Sequence, residues 1–245
     1  MSLHSLQKNW HLFGSTDPFW AIITDPLKKG NRWDVEEFFR TGVDEAASIL
    51  SQVQACWRLP EKRRALDFGC GAGRITQALG AHFDEIQGVD IAPSMIALAE
   101  RYNRLGDRCH YALNAEPDLR IFPDRHFDLI YSVLTLQHMP PYLARGYLKE
   151  FLRVLRPGGA LLFQFPAKLK KAPTLAGRAW ARVYRAWLNA AHSDIPQMDM
   201  YGIEKDSLLD YLSGQGARVL SVTPDQRAGP DWESYTYVVT TESPA

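Results

Sequence analysis

Ala65-Leu-Asp-Phe-Gly-Cys-Gly-Ala-Gly73 decides the fold: a short apolar run ends at an acid, three alternate glycines follow, and a helical segment begins. Alternate glycines let the backbone turn tightly and admit a ligand where any Cβ would collide. The bland alternative is a plain tight turn, and the pattern on either side weighs against it. A dinucleotide site needs G-x-G-x-x-G, with the pyrophosphate resting on the helix N-terminus. Here the sixth position is Arg74, so that fingerprint fails. The spacing is G-x-G-x-G, and Asp67 at the strand tip would repel a pyrophosphate and attract an ammonium. The ligand expected is cationic rather than phosphorylated.

Outward from the loop, short apolar runs alternate with helical segments, the signature of a parallel sheet with crossover helices. Strands are predicted at ALDF, EIQGVD, CHYALN, FDLIYSV and GALLFQF, and helices near Ala72 to Ala81, Pro93 to Arg104 and Tyr142 to Leu155. A further helix is predicted from Glu204 to Ser213, then strands at ARVLSVTP and SYTYVVTT. The Gly and Pro turn between these last strands leaves no room for a helical crossover, so the pair is predicted antiparallel. Residues 1–60 are rich in aromatics and read as an N-terminal helical cap, with only Trp33 to Val53 scored as helix. Residues 61–245 read as one α/β domain, interrupted at about 168–200 by a basic, aromatic helical insert that opens at Lys168.

Bulk composition narrows the function. The 245 residues carry 28 Lys plus Arg against 28 Asp plus Glu, so no net field recruits nucleic acid or an acidic membrane. Three cysteines without C-x-x-C spacing argue against a disulfide framework or a structural zinc, and no metal site is expected. With no signal-like start and no long apolar stretch, a cytoplasmic protein is predicted.

The second predicted strand ends at Asp90, in Gly88-Val-Asp-Ile-Ala-Pro-Ser-Met95. An acid there suits both hydroxyls of a ribose, and it also suits a helix cap. Together with Phe127-Asp-Leu-Ile-Tyr-Ser132 and Leu155-Arg-Pro-Gly-Gly-Ala160, these segments resemble, in order and spacing, the class I S-adenosylmethionine-dependent methyltransferases, in particular their small-molecule "type 11" branch. The likeness is close from Arg64 to Phe165. It implies a Rossmann-like, doubly wound, seven-stranded α/β sheet in the order 3-2-1-4-5-7-6 with the last strand antiparallel.

The resemblance also implies roles. The cofactor would be S-adenosylmethionine, leaving as S-adenosylhomocysteine. Its methionine and ribose would lie on Phe68, Gly69, Cys70, Gly71, Gly73 and Arg74, with Asp67 near the amino group and Asp90 on the ribose. Ile91 and Met95 would pack on the adenine, Asn114 and Ala115 would reach its edge, and Ser132 and Val133 would end beside the sulfonium. Many relatives carry Asp where this chain has Asn114, whose amide oxygen can still accept a hydrogen bond.

Methyl transfer needs alignment and exclusion of water, and an acidic acceptor also needs a base. His138, just beyond the fourth strand, is the candidate base. Its alternative role, fixing the loop or capping the next helix, is the preferred one in the absence of a visible partner. His192 and Asp194 are weaker candidates. Phe19, Trp20, Trp33 and Phe39 are the residues expected to form a lid over the cofactor and shape the acceptor pocket. The expected activity is methyl transfer to O, N or C of a small molecule. The rivals are a cofactor-binding protein without transfer, and a protein or RNA methyltransferase. The second rival is disfavoured by Ser132-Val-Leu-Thr135 standing where such enzymes often carry N-P-P-Y or D-P-P-Y.

Overall fold

In the computed structural model, which describes residues 2–171, 174, 180, 187 and 195–241, seven strands form one sheet in the order β3-β2-β1-β4-β5-β7-β6. They are β1 Arg64–Phe68, β2 Glu85–Asp90, β3 Cys109–Leu113, β4 Phe127–Ser132, β5 Leu155–Leu169, β6 Ala217–Asp225 and β7 Trp232–Thr241. The first five pair in parallel, and β7 runs antiparallel to both β5 and β6. The predicted order and the antiparallel final pair are therefore found.

The α-helices described over their whole length are, in chain order, α1 Leu3–Thr16, α2 Pro18–Ile22, α3 Val35–Cys56, α4 Arg74–Gly80, α5 Pro93–Arg101, α6 Pro141–Val154 and, beyond residue 200, α7 Lys205–Gly214. β4 is buried at every residue, as expected for a central parallel strand covered on both faces. Leu66, Phe68, Ile130 and Phe163 meet Tyr147 and Phe151 of α6 and Leu208 of α7 on one face. Ala65, Leu129 and Leu162 meet Ile49 and Val53 of α3 and Ile75 and Leu79 of α4 on the other.

The N-terminal region departs from the sequence reading, because α1 and α2 precede the one helix expected there. Leu3, Leu6, Trp10 and Phe13 form a helical stripe in α1, and the Ser2 hydroxyl accepts from the Ser5 amide at 3.2 Å. The signal was present in the spacing but outweighed by the polar residues between. A second departure is at Lys168 and Leu169, which extend β5 instead of opening a helix. Lys168 sits opposite Glu233 of β7 and within 3.8 Å of its carboxylate, and Glu204 lies 3.7 Å away. Most of the remaining insert, with His192 and Asp194, lies outside the described residues.

Helix α3 buries Phe38, Gly42, Ala46, Ile49 and Val53 at helical spacing. Asp34 caps it, accepting from the Glu37 amide at 2.9 Å. At Gly42 a Cβ would stand 2.5 Å from the Arg74 carbonyl oxygen, so α3 crosses the start of α4 at backbone contact. Gly42→Val is expected to cost about 2–3 kcal/mol and lower Tm by roughly 5–10 °C in thermal unfolding. A variant as stable as the parent would show that the helices separate freely there.

Candidate functional site

The C-terminal ends of the parallel strands open into one cavity of about 250 Å³. This is where open α/β sheets place ligands. At its β2–β3 end stand Asp90, Ile91, Met95 and Asn114; the glycine loop forms its floor; and Val133, Gln137, His138 and Arg227 stand at the other end.

The loop's geometry follows from its glycines. Gly69, Gly71 and Gly73 have φ of +82°, +53° and +82°, conformations that side chains disfavour. The Gly69 and Cys70 amides donate to the Val89 carbonyl at 2.7 and 3.0 Å, folding the loop onto β2. Asp90 completes the turn: its Oδ2 accepts from the Gly71 amide and its Oδ1 from the Ala92 amide, both at 2.9 Å. Burial raises the Asp90 carboxyl above its ordinary value, opposed by these amides. Asp67 is 2% exposed and accepts from the Thr76 hydroxyl at 2.6 Å. Burial pushes its carboxyl up to about 6.

Arg74 opens α4 yet is buried, and burial lowers its pKa. One terminal nitrogen donates to the Thr41 hydroxyl at 3.2 Å, its Nε is buried without a partner, and among the described residues no carboxylate lies within ion-pair distance. A buried guanidinium in this state suits an incoming carboxylate.

At the far end, His138 is 5% exposed, with Nδ1 2.7 Å from the Asp199 carbonyl oxygen and Nε2 3.2 Å from the Gln137 amide nitrogen. Trp10 meets the imidazole edge-on at 5.0 Å. Burial pushes the imidazole pKa down to about 4, against the favourable Asp199 carbonyl.

Most of the sequence-predicted cofactor residues converge here: Asp67, Phe68, Gly69, Cys70, Gly71, Arg74, Asp90, Ile91, Met95, Asn114 and Val133 line the cavity, as does His138. Others stand behind it. Gly73 caps α4, and a Cβ there would stand 2.3 Å from the Tyr111 hydroxyl. Ser132 is fully buried with its hydroxyl unpartnered, and Ala115 follows Asn114 outside the lining. The Asn114 amide donates to the Asp118 carbonyl at 2.8 Å and shapes its own turn.

The four aromatic residues expected over the pocket lie outside its lining. Phe19 stacks on Phe38 at 4.4 Å, Trp33 meets Phe38 edge-on, Phe39 packs on Tyr102, and Trp20 lies under the Lys29 ammonium. The N-terminal residues that do line the cavity include Leu6, Trp10 and Ile22. The Ile22 side chain lies over the glycine loop, within 2.6 Å of where a Gly71 Cβ would be. Gln137, Met198, Met200 and Arg227 are among the other contributors that sequence reasoning missed. Only the α1 stripe carried a local signal.

Sheet order, glycine loop and pocket together define a Rossmann-like methyltransferase architecture. It is similar to magnesium protoporphyrin IX methyltransferase of Synechocystis PCC 6803, at TM-score 0.62 and 15% identity over 97% of this chain and 98% of that one. In sequence, the profile described as a methyltransferase domain matches residues 66–163. Trans-aconitate 2-methyltransferase of Methylobacterium nodulans is 30% identical over 186 residues, covering 65% of this chain and 68% of the relative. That of Streptomyces avermitilis is 34% identical over 143 residues, covering 55% of this chain and 51% of the relative. The chain belongs to the class I S-adenosylmethionine-dependent methyltransferases. It spans about half the length of the first curated relatives it matches.

Proposed function

We propose that this chain binds S-adenosylmethionine and transfers its methyl group to a small molecule. The observation that carries the reading is the pairing of a left-handed glycine floor with Asp90, whose carboxylate is held at the tip of β2 by two backbone amides. The residues fit the cofactor's chemistry end to end. Asp90 would hold the ribose hydroxyls, with Ile91 and Met95 against the adenine. Arg74, with its orphaned Nε, would take the methionyl carboxylate, and Asp67 would lie near the ammonium. Two carboxylates lining the cavity, Asp67 and Asp90, disfavour a phosphorylated ligand.

When bound, the cofactor supplies a methyl group on a positively charged sulfur, a leaving group that needs no activation. The chain's residues align the acceptor and exclude water. A roof supports this role. Ile22 covers the glycine loop, and the Asn9 side chain exchanges two hydrogen bonds with the Gln197 backbone at 2.6 and 2.7 Å, joining α1 to the 195–201 strap. The cluster of Phe19, Trp33, Phe38, Phe39 and Tyr102 would anchor α2 in this cover, so these aromatics would act behind the pocket.

The relatives' names disagree on the acceptor, aconitate for some and a hydroquinone for another. The neutral overall charge supports no nucleic-acid partner. Among the described residues no helix is long and apolar enough to cross a membrane. Three free cysteines favour a reducing compartment such as the cytoplasm. Calorimetric titration with S-adenosylmethionine and S-adenosylhomocysteine tests the reading, with one-to-one micromolar binding expected. Binding of neither nucleoside would overturn it.

A further inference from the structure

The acceptor end of the cavity has an ordered hydrogen-bond polarity, fixed at both ends by backbone groups. The Leu134 amide, held at φ +60°, donates to Gln164 Oε1 at 3.2 Å, which fixes the Gln164 carboxamide. Its nitrogen therefore donates to Gln137 Oε1 at 3.2 Å and to the Ser234 hydroxyl at 2.7 Å. Gln137 must then turn its own nitrogen toward His138 Nε2. At the other end the Asp199 carbonyl can only accept, so His138 Nδ1 carries the proton and Nε2 is a lone pair. Both ends give the same answer: a neutral imidazole whose lone pair is already filled by the Gln137 amide.

Among the described residues this wall consequently lacks a free base. Leu6, Trp10, Leu134, Met139, Met198 and Met200 give the cavity an apolar surface, and Thr24, Tyr131, Thr135 and Tyr147 add hydroxyl-bearing side chains to its lining. Among the described residues the formally charged groups lining the cavity are Asp67, Arg74, Asp90 and Arg227, and of these Arg227 alone, on the turn between β6 and β7, is not already assigned to the cofactor. Asp225 holds that turn, its Oδ1 accepting from the Arg227 amide at 3.0 Å and its Oδ2 from the Thr236 hydroxyl at 2.9 Å. The Arg227 guanidinium spends one terminal nitrogen on Glu45 of α3, at 2.5 Å. Glu45 also accepts from the Tyr131 hydroxyl at 3.4 Å. A guanidinium carries five N–H donors in a planar fork, so this bridge leaves donors for a second anion.

We propose that the methyl acceptor is a carboxylic acid with an apolar body, and that Arg227 is the residue that selects it. The inference rests on the cofactor reading above. A carboxylate is already ionised near neutral pH and is acceptor-only, which matches a wall offering donors and no base. Transfer forms an O–CH3 bond while the C–S bond breaks with its electron pair remaining on sulfur. A methyl ester results and no proton is released, so His138 has none to collect.

The test is calorimetric titration of the S-adenosylhomocysteine-loaded protein with octanoate and 3-phenylpropanoate, alongside their primary amides and alcohols. At least one carboxylate is expected to bind tenfold or more tightly than its amide and alcohol. Arg227→Gln should erase that preference while leaving the S-adenosylhomocysteine Kd within about threefold. Glu45→Gln, which releases the guanidinium from its internal partner, should strengthen carboxylate binding. Equal binding of amide or alcohol, no carboxylate binding, or weaker carboxylate binding in Glu45→Gln overturns the proposal. So does a collapse of S-adenosylhomocysteine binding in Arg227→Gln, which would assign that arginine to the cofactor. Failure of the parent chain to bind S-adenosylhomocysteine is the separate failure of the underlying reading.

Discussion

Asp90→Ala is expected to weaken S-adenosylmethionine binding at least a hundredfold in a calorimetric titration. Two losses combine. The ribose hydroxyls lose a charged acceptor, and hydrogen bonds to charged groups are worth about 1.5–3 kcal/mol each, against about 1.4 kcal/mol per tenfold in Kd. The Gly71 and Ala92 amides also lose the acceptor that pins the loop in its left-handed course. Asp90→Asn separates the two effects, because an amide oxygen can still serve one backbone donor while the negative charge is gone. It should retain the parent's thermal stability more nearly than the alanine variant and still bind poorly. A change of under threefold in Kd for Asp90→Ala would mean that the ribose is held elsewhere.

The second large effect is on stability, and in the parent chain it is hidden. The Asp67 carboxyl moves from an ordinary 3.8 to about 6 on folding. The folded chain therefore holds a proton that the unfolded chain releases, and this contribution is greatest below about pH 4 and disappears as pH rises through 6. The His138 imidazole moves the other way, from 6.5 to about 4, so its contribution is present above pH 6.5 and lost as pH falls to 4. Each amounts to ~3 kcal/mol, at 1.36 kcal/mol per pH unit. They oppose each other across the same interval and largely cancel. Urea unfolding at a series of pH values from 7 to 4 should expose them. Relative to the parent, His138→Gln should gain stability as pH falls, and Asp67→Asn should lose it. Asp67→Asn should also be the more stable variant at pH 7, where the parent keeps a desolvated carboxylate beside Thr76. Parallel curves for all three proteins would show that neither group changes its proton affinity on folding.

The parts of the site legible in the sequence are those whose chemistry is local. Gly69, Gly71 and Gly73 announce a left-handed loop, and Asp67 and Asp90 fall at strand tips because apolar runs end there. Even the antiparallel final pair could be read, from a turn too short for a crossover. What escaped depends on distance along the chain. Arg227 reaches the cavity only because β7 inserts between β5 and β6, and Met198 and Met200 stand at the end of the segment read as a helical insert, where residues 195–200 are not helical. The four aromatics chosen for a lid illustrate the converse. Composition placed them near the cofactor, but Phe19, Trp33 and Phe39 find Phe38 and Tyr102 instead, because rings on α2, at the start of α3 and at the end of α5 pack against one another. Trp10, one turn below Phe13, took the position at the pocket.

The bond from Asn9 to Gln197 spans 188 residues of sequence. Closing a loop of that size is entropically costly, so such contacts form late in folding, after the locally connected strands β1 to β4 have paired. During synthesis, α1 emerges well before the strap and waits for it. Closure of the cavity by the strap is thus a late step, and the strap amides are expected to exchange their hydrogens sooner than those of the cavity floor under native conditions.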